Sequence, residues 1–255
     1  MLSWPKGREI DMKLRLHLAR IKLLKWGITA TPLREGEYYT HIDGEEVKLS
    51  HSGFNTKWLK QLNIDPKVVL ELGSFDGGDA LRFARAFPNT RIVTVEADPV
   101  RVNVVRANLA STHAEVVNNA VCSENGPVPW FTSKISGEVD GQGSLYEHSQ
   151  VYKEKFPQVE QSAAQVTVDG LRLDTLCQQN NIHNIDFMHM DIEGAEYGAL
   201  ASMGDLRPKL IFMEMLPNYF EDVRGSKDIE ALLTDRGYIL IARLSQDRLY
   251  IHQPS

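Results

Sequence analysis

The chain has 255 residues, of which 42% are hydrophobic and 24% are charged, and its formal net charge is -6. This length allows one large α/β domain or two small ones, and the composition is that of an ordinary globular protein. The acidic balance argues against a general nucleic-acid binder, which usually carries a basic footprint.

The N-terminal arm has a different character from the rest of the chain. Residues 1–26 are basic, whereas the remainder is acidic. Apolar residues at helical spacing predict a basic amphipathic helix over residues 9–26. We expect this helix to dock on the domain or on a second copy of the chain in a homodimer. Attachment to a membrane surface is the alternative, because such a helix can lie in an anionic interface.

Turn-forming residues within 30–53 predict a small hairpin. Residues 1–54 are therefore expected to form a helical and hairpin extension of one domain at 55–255. No apolar run approaches the roughly 18 to 20 residues that span a bilayer, and the basic N-terminus lacks the apolar segment of a secretory signal. Cys122 and Cys177 form no CxxC pair, which predicts reduced thiols. We expect a cytoplasmic protein with no transmembrane segment.

A regular alternation of strands and helices follows. It predicts βαβ units in a doubly wound, Rossmann-like α/β sheet. The last two strands are so close in sequence that we expect an antiparallel hairpin at the sheet edge. The predicted strands are 67–73, 91–97, 114–121, 185–191, 209–215, 237–243 and 248–252. The predicted helices are 78–87, 99–110, 171–181, 194–203 and 226–236.

Residues 123–165 interrupt this rhythm with Gly, Pro and polar residues. A loop of this length in a compact domain is usually functional or disordered. We interpret it as an insertion that covers the substrate, with Trp130, Tyr146, His148 and Tyr152 as candidate lining residues. A surface loop with its own small core is the alternative.

The first strand leads into the sequence ELGSFDGG, a glycine loop that opens a helix. Gly73 allows a tight turn, and Gly77 allows close approach of a ligand to the backbone. Glu96 ends the next strand, 23 residues beyond Gly73, where a carboxylate can bind both hydroxyls of a ribose. The pair predicts a cofactor with an adenosine half.

Two residues indicate the chemical nature of the other half of the cofactor. Phe75 occupies the position where a dinucleotide motif has its second glycine. Glu71, in the strand itself, would repel a pyrophosphate but would suit a positively charged group. S-adenosylmethionine has a sulfonium and an ammonium and no phosphate, so it fits better than NAD, which stays the alternative.

Several segments resemble the FkbM family of S-adenosylmethionine-dependent methyltransferases over roughly residues 55–243. They occur in the family's order, and the most specific is IDFMHMDIEGAEYGAL; the others are VVLELGSFDGG, VTVEADP, ANLA, VVNNAV, GSL, LDTL and IFMEM. The resemblance implies a class I methyltransferase fold, a seven-stranded sheet with an antiparallel last strand. It also implies O-methylation of a hydroxyl on a sugar, a glycan or a small natural product.

The resemblance further implies roles for individual residues. The methionine half of the cofactor would meet a loop formed by Glu71, Gly73, Ser74 and Gly77. Glu96 would bind the ribose, and Asn119 and Ala120 would lie near the adenine. Asp191 would lie beside the methyl group. The chain departs from the family at two places. It has Ser-Phe-Asp between the loop glycines, and it has His189 two residues before Asp191, where lysine is more usual.

The acids after the fourth predicted strand have two interpretations. Asp191 ends the strand, so it falls in the cleft at the carboxyl edge of the sheet, on the strand face shared by Phe187 and His189. Glu193 and Glu196 suit either the first turn of a helix or the site.

Asp191 and His189 are the candidate bases for the acceptor hydroxyl, and His148 is a weaker one. A hydrogen-bonded core histidine is the alternative for His189. Asp191 and Glu214 could also hold Mg²⁺.

Two other functions share the predicted cofactor site. Enzymes that methylate amino groups of bases usually carry Asn/Asp-Pro-Pro-aromatic after the fourth strand, where this chain has DIEG. A methyltransferase-like module that only binds partners is the non-enzymatic alternative. The expected partner is therefore a small-molecule or glycan acceptor, and not a nucleic acid.

Overall fold

The computed structural model describes residues 37–42, 45–162, 166–216 and 218–253. The predicted helix at 9–26, and the predicted homodimer formed through it, lie outside these residues. Strands, in chain order, are β1 (Tyr38–Ile42), β2 (Glu45–Leu49), β3 (Val68–Leu72), β4 (Arg91–Val95), β5 (Glu115–Val117), β6 (Ala120–Cys122), β7 (Gly126–Trp130), β8 (Ser133–Ile135), β9 (Glu138–Val139), β10 (Val159–Gln161), β11 (Val166–Arg172), β12 (Phe187–Met190), β13 (Leu210–Glu214), β14 (Tyr238–Leu244) and β15 (Asp247–His252). Helices are α1 (Lys57–Gln61), α2 (Gly78–Ala86), α3 (Arg101–Leu109), α4 (Gln150–Lys155), α5 (Leu173–Gln179), α6 (Glu196–Ala201) and α7 (Ser226–Asp235).

Seven strands form the main sheet in the order β14-β15-β13-β12-β3-β4-β5. The strands from β13 to β5 are parallel, and β15 runs antiparallel to both of its neighbours. The predicted doubly wound sheet with an antiparallel last strand is therefore confirmed. The predicted β14–β15 hairpin is also confirmed, with β15 inside the sheet and β14 at its edge.

The central strands are buried on both faces, which is why they form continuous apolar runs in the sequence. One face of the sheet packs Phe187 into an aromatic cluster, where its ring stacks on Phe54 with centroids 4.3 Å apart. The opposite face buries Met188 and Met190. This alternation confirms the predicted parity of β12 and places His189 on the same face as Phe187.

A buried ion pair fixes the segment before α1 to helix α2. The Arg82 guanidinium is fully buried and donates to the Asp79 carboxylate and to the Phe54 carbonyl. Asp79 also accepts from the Ser52 amide at 2.7 Å. Burial alone would raise the pKa of Asp79, but Arg82 and the other partners outweigh it and the pKa lies below its ordinary value.

Strands β1 and β2 form an antiparallel hairpin within residues 30–53. It lies against α2 and α3, because Thr40 Oγ1 donates to the Asn108 carbonyl at 3.2 Å and Arg85 donates to the Tyr39 carbonyl at 2.7 Å. Cys122 and Cys177 are both buried and unpaired. None of the helices in the described ranges is long and apolar enough to cross a membrane.

Three predictions of elements were incomplete or wrong. The single strand predicted at 114–121 is two strands: β5 ends the main sheet, and β6 pairs with β11 in a separate three-stranded sheet, β6-β11-β7. Strand β11 was missed, and the helix predicted from residue 171 begins after it. Residues 123–165, predicted as a loop, contain strands β7 to β10 and helix α4.

The insertion is bonded to the segment that follows β13. Ser149 Oγ donates to the Asn218 carbonyl at 2.6 Å, and the Ser149 amide donates to the Tyr219 carbonyl at 2.8 Å. The Glu221 amide donates to the Glu147 carbonyl at 2.9 Å. Two segments distant in sequence therefore form one continuous surface above the carboxyl edge of the sheet.

We expect Arg82→Met to lower the free energy of unfolding by about 3 to 5 kcal/mol, because it leaves the Asp79 carboxylate buried without its cation. Arg243→Met is the matched control, since Arg243 pairs with Glu230 at the surface at 2.8 Å and should cost about 1 kcal/mol or less. Urea denaturation followed by circular dichroism measures both. Equal losses in the two variants would contradict the importance of the buried pair.

Candidate functional site

The carboxyl ends of β3, β4 and β12 meet at one edge of the main sheet. The Gly73 amide donates to the Val95 carbonyl at 2.9 Å, and the Asp191 amide donates to the Leu72 carbonyl at 2.9 Å. A cavity that is partly open to solvent lies at this edge. Its position at the carboxyl ends of the parallel strands is where ligands bind in such sheets.

The cavity brings together most of the residues that the sequence predicts to bind the cofactor. Five of them line it: Gly73, Glu96, Asn119, Ala120 and Asp191. They come from segments more than 100 residues apart in the chain, so their meeting is a result of the strand order and not of local sequence. The predicted cleft is therefore a real feature of the fold.

Gly73 permits the closest backbone approach in the site. Its φ is +84°, and a Cβ atom built on it would lie 1.7 Å from the carbonyl oxygen of Asp191. No side chain fits between these two backbones. The glycine is required here by sterics, independently of any ligand.

Glu96 is bonded to the glycine loop. Its Oε2 accepts from the amides of Ser74 at 3.2 Å and Phe75 at 2.8 Å, and its Oε1 accepts from the Asp98 amide at 2.8 Å. Burial raises the pKa of Glu96, and these backbone hydrogen bonds act in the opposite direction. The carboxylate thus fixes the shape of the loop while it faces the cavity.

Three predicted cofactor residues do not line the cavity. Glu71 is fully buried beneath the loop, where it accepts from Thr94 Oγ1 and, at 3.3 Å, from Ser74 Oγ. Burial, and then the nearby Asp79, raise its pKa well above the ordinary value. Gly77 lies immediately before α2 and next to the Leu109 side chain. These residues support the loop from below.

His189, a predicted base, is also placed below the cavity. Its ring is 2% exposed and stacks on Phe212, with centroids 5.7 Å apart. Its Nε2 lies 3.9 Å from Asp79 Oδ2. Burial lowers its pKa although Asp79 acts in the opposite direction. This placement fits the alternative of a core histidine, but its Nδ1 has no hydrogen-bond partner among the described residues, so the hydrogen bond expected for that alternative is not found.

Asp191 and Glu214 share a hydrogen bond across the ends of β12 and β13. Burial raises the pKa of Asp191 to about 6, whereas the hydrogen bond with Glu214 lowers it. Burial, with the charges of Asp191 and Asp247, raises the pKa of Glu214 to about 9. Glu214 is therefore the protonated member of the pair at neutral pH.

The other two acids of the DIEGAE segment differ in their surroundings. Glu193 lines the cavity, and its Oε2 is buried without a hydrogen-bond partner. Burial, and then repulsion from Asp191, raise its pKa well above the ordinary value. Glu196 instead accepts from the Gly194 amide at 3.1 Å, at the start of α6. The structure thus gives Glu196 the helix-start role.

The insertion forms the upper wall of the cavity. Trp130 Nε1 donates to Asp98 Oδ2 at 3.0 Å, and Gly143 packs against the Trp130 ring. Trp130 lines the cavity, as predicted, whereas His148 and Tyr152 are buried in an aromatic cluster with Phe220. The insertion therefore has its own small core and also covers the site.

Sequence reasoning missed several cavity residues, among them Phe75, Asp98 and Arg101. Phe75 lies in the cavity wall with the Arg101 guanidinium 4.1 Å from its ring centroid. Asp98 Oδ1 accepts from the amides of Val100 and Arg101. An aspartate just before Pro99 is a helix-start signal, and it could have indicated that the first turn of α3 faces the cleft.

Comparisons with known proteins agree with this architecture. The model of the Methyltransferase FkbM domain family matches residues 71–240, more than half of the chain. The 2-O-methyltransferase NoeI of Sinorhizobium fredii (strain NBRC 101917 / NGR234) is 27% identical over 173 residues, which cover 66% of this chain and 70% of the relative.

Two solved structures are among the matches. Methyltransferase FkbM from Methylobacillus flagellatus KT has a TM-score of 0.44 and 15% identity over 74% of this chain and 44% of its own. The O-methyltransferase from Bacillus cereus, solved with SAH, has a TM-score of 0.38 and 16% identity over 73% of this chain and 74% of its own. The chain therefore spans less than half the length of the first structure.

We expect Gly73→Ala to destabilise the protein more than Gly137→Ala. Both glycines have a positive φ, so alanine costs each about 1 to 2 kcal/mol. A Cβ at Gly137 meets nothing within 4 Å, whereas one at Gly73 meets the Asp191 carbonyl, which adds about 1 to 3 kcal/mol for overpacking. Thermal and urea unfolding measure the difference, and indistinguishable variants would contradict the close approach.

Proposed function

This chain belongs to the FkbM methyltransferase family, and we propose that it transfers a methyl group from S-adenosylmethionine to a hydroxyl of an acceptor. The observation that carries the proposal is the charge of the cavity. Its described wall contains five acidic residues and one basic residue, Arg101; the acidic residues are Glu96, Asp98, Asp140, Asp191 and Glu193. Such a wall favours a cationic sulfonium cofactor and disfavours the pyrophosphate of NAD.

The cofactor's adenosine half is proposed to lie between β4 and β6. Among the described residues, Glu96 Oε1 accepts one hydrogen bond, from the Asp98 amide, so it has a lone pair for a ribose hydroxyl. Asn119 and Ala120 supply the wall beside the adenine. Phe75, whose ring takes up the space where a dinucleotide would need bare backbone, supports the same choice of cofactor.

Asp191 is the proposed catalytic residue. It ends β12 in the cavity wall, next to Gly73, where the methionine half of the cofactor would lie. The acceptor oxygen attacks the methyl carbon in line with the breaking C–S bond, whose electron pair remains on sulfur. The hydroxyl proton passes to the Asp191 carboxylate, and the products are the methyl ether and S-adenosylhomocysteine. His189 is not proposed as the base, because its ring is buried below the cavity.

The acceptor is proposed to be a hydroxyl on a sugar, a glycan or a small natural product. The similarity to the 2-O-methyltransferase of Sinorhizobium fredii supports transfer to oxygen. Trp130 in the cavity roof offers an apolar face on which a sugar ring can lie.

Calorimetric titration with S-adenosylhomocysteine tests the cofactor. We expect one-to-one binding at micromolar Kd and no heat with NADH. Glu96→Gln should weaken binding at least about ten-fold, because it removes a charged hydrogen-bond acceptor. Glu124→Gln is the matched control at an exposed acid and should bind normally. Absence of binding to the wild type would falsify the proposed function.

Asp191→Asn tests the catalytic role. We expect kcat to fall at least about 100-fold, since a positioned base contributes 10² to 10⁴, while affinity for S-adenosylhomocysteine changes little. The assay follows S-adenosylhomocysteine release with a panel of free sugars and glycosides as acceptors. Asp205→Asn, at an exposed loop acid, is the control. Normal turnover by Asp191→Asn would exclude Asp191 as the base.

A further inference from the structure

Three carboxylates converge at the carboxyl ends of the neighbouring strands β12 and β13. Asp191, Glu193 and Glu214 each offer one oxygen, and these oxygens lie within 4.8 Å of one another. Asp191 and Glu193 line the cavity, so the group can be reached from it. Without an ion, the hydrogen bond between Asp191 and Glu214 keeps a proton between two of these carboxylates, and a bound cation would displace that proton.

Within the part of the chain that the structure describes, none of the ion pairs between basic and acidic side chains includes these three carboxylates. Glu193 is 6% exposed, and no described residue hydrogen-bonds to its Oε2. An unpaired buried carboxylate oxygen is costly, which indicates a missing ligand of positive charge.

A second group of potential ligands shows the contrast. Glu71, Asp79 and His189 also lie within 4.8 Å of one another. There, however, the guanidinium of Arg82 binds Asp79 and supplies the positive charge from within the protein. Asp79 in the group beneath the cavity is thus compensated by Arg82, whereas none of the described ion pairs gives the group in the cavity wall a basic partner. Glu71 Oε1 and His189 Nδ1 of the lower group, like Glu193 Oε2, have no hydrogen-bond partner among the described residues.

We propose that Asp191, Glu193 and Glu214 bind one divalent cation of the Mg²⁺ or Mn²⁺ type. Oxygen ligands about 2.1 Å from such an ion are roughly 3 to 4.2 Å apart, a spacing that small rotations of these side chains reach. Three protein ligands leave positions for water and for an acceptor oxygen. One oxygen of Asp191 binds the ion, and the other remains for the hydroxyl proton.

The role of the ion rests on the proposed function, because it places an acceptor hydroxyl next to the methyl donor and polarises it. The binding of the ion does not rest on that function. It can be measured on the full chain without cofactor or acceptor.

Titration with Mn²⁺, followed by the electron paramagnetic resonance signal of the free ion, tests the site. We expect about one Mn²⁺ per chain, competed by Mg²⁺, and at least about ten-fold weaker binding in Glu193→Gln and Glu214→Gln. Glu71→Gln is the matched control in the compensated group and should bind normally. Circular dichroism and S-adenosylhomocysteine titration verify that the variants are folded.

The outcomes separate the two proposals. No Mn²⁺ binding, normal binding in both Glu193→Gln and Glu214→Gln, or loss of binding only in Glu71→Gln overturns the cation site, whatever the cofactor result. Mn²⁺ binding that depends on Glu193 and Glu214 supports the site even if S-adenosylhomocysteine fails to bind, a result that would overturn the proposed function alone.

Discussion

The site depends on one close approach, between the α-carbon of Gly73 and the carbonyl oxygen of Asp191. Because no Cβ intervenes, β3 and β12 can end side by side and the chain can turn away immediately after β3. The amides of the next two residues then reach Glu96 at the end of β4. Because Gly73 has no side chain, the ends of β3, β4 and β12 can lie side by side and hold their functional groups in one rigid frame.

The buried carboxylates above this frame and those below it have different partners. Below it, Arg82 neutralises Asp79, and Glu71 lies against hydroxyl groups that hydrogen-bond to it. In the cavity wall, Asp191 and Glu193 face an opening in which the described wall contains one basic residue. Burial raises the pKa values of both, and the charge of Asp191 raises that of Glu193 further, so the folded protein carries a free-energy cost that a cationic ligand would relieve.

Most of the sheet could be predicted from the sequence because its central strands are buried on both faces and form continuous apolar runs. Asp191, Gly73 and Glu96 were identifiable because they end such runs. Glu71 and His189 were also placed in the site, but each lies one residue before the end of its strand, where the sheet is covered on both faces.

The insertion was harder to predict, because its structure depends on contacts distant in sequence. The run at 114–121 looks like one strand, but the Asn118 side chain donates through Nδ2 to the Glu96 carbonyl at 2.7 Å. The chain crosses there into a second sheet. Strand β11 is partly exposed and contains Asp169 and Gly170, so its local pattern is weak.

The hydrogen bonds between the insertion and the segment after β13 have a kinetic consequence. Ser149 and Glu147 bind residues 218–221, and Ser144 Oγ binds the Glu193 carbonyl at 2.6 Å. The roof of the cavity is therefore anchored both to a loop across the sheet and to the cavity wall. A roof held by several hydrogen bonds at two places moves more slowly than a free loop, because more than one contact has to break before it can shift.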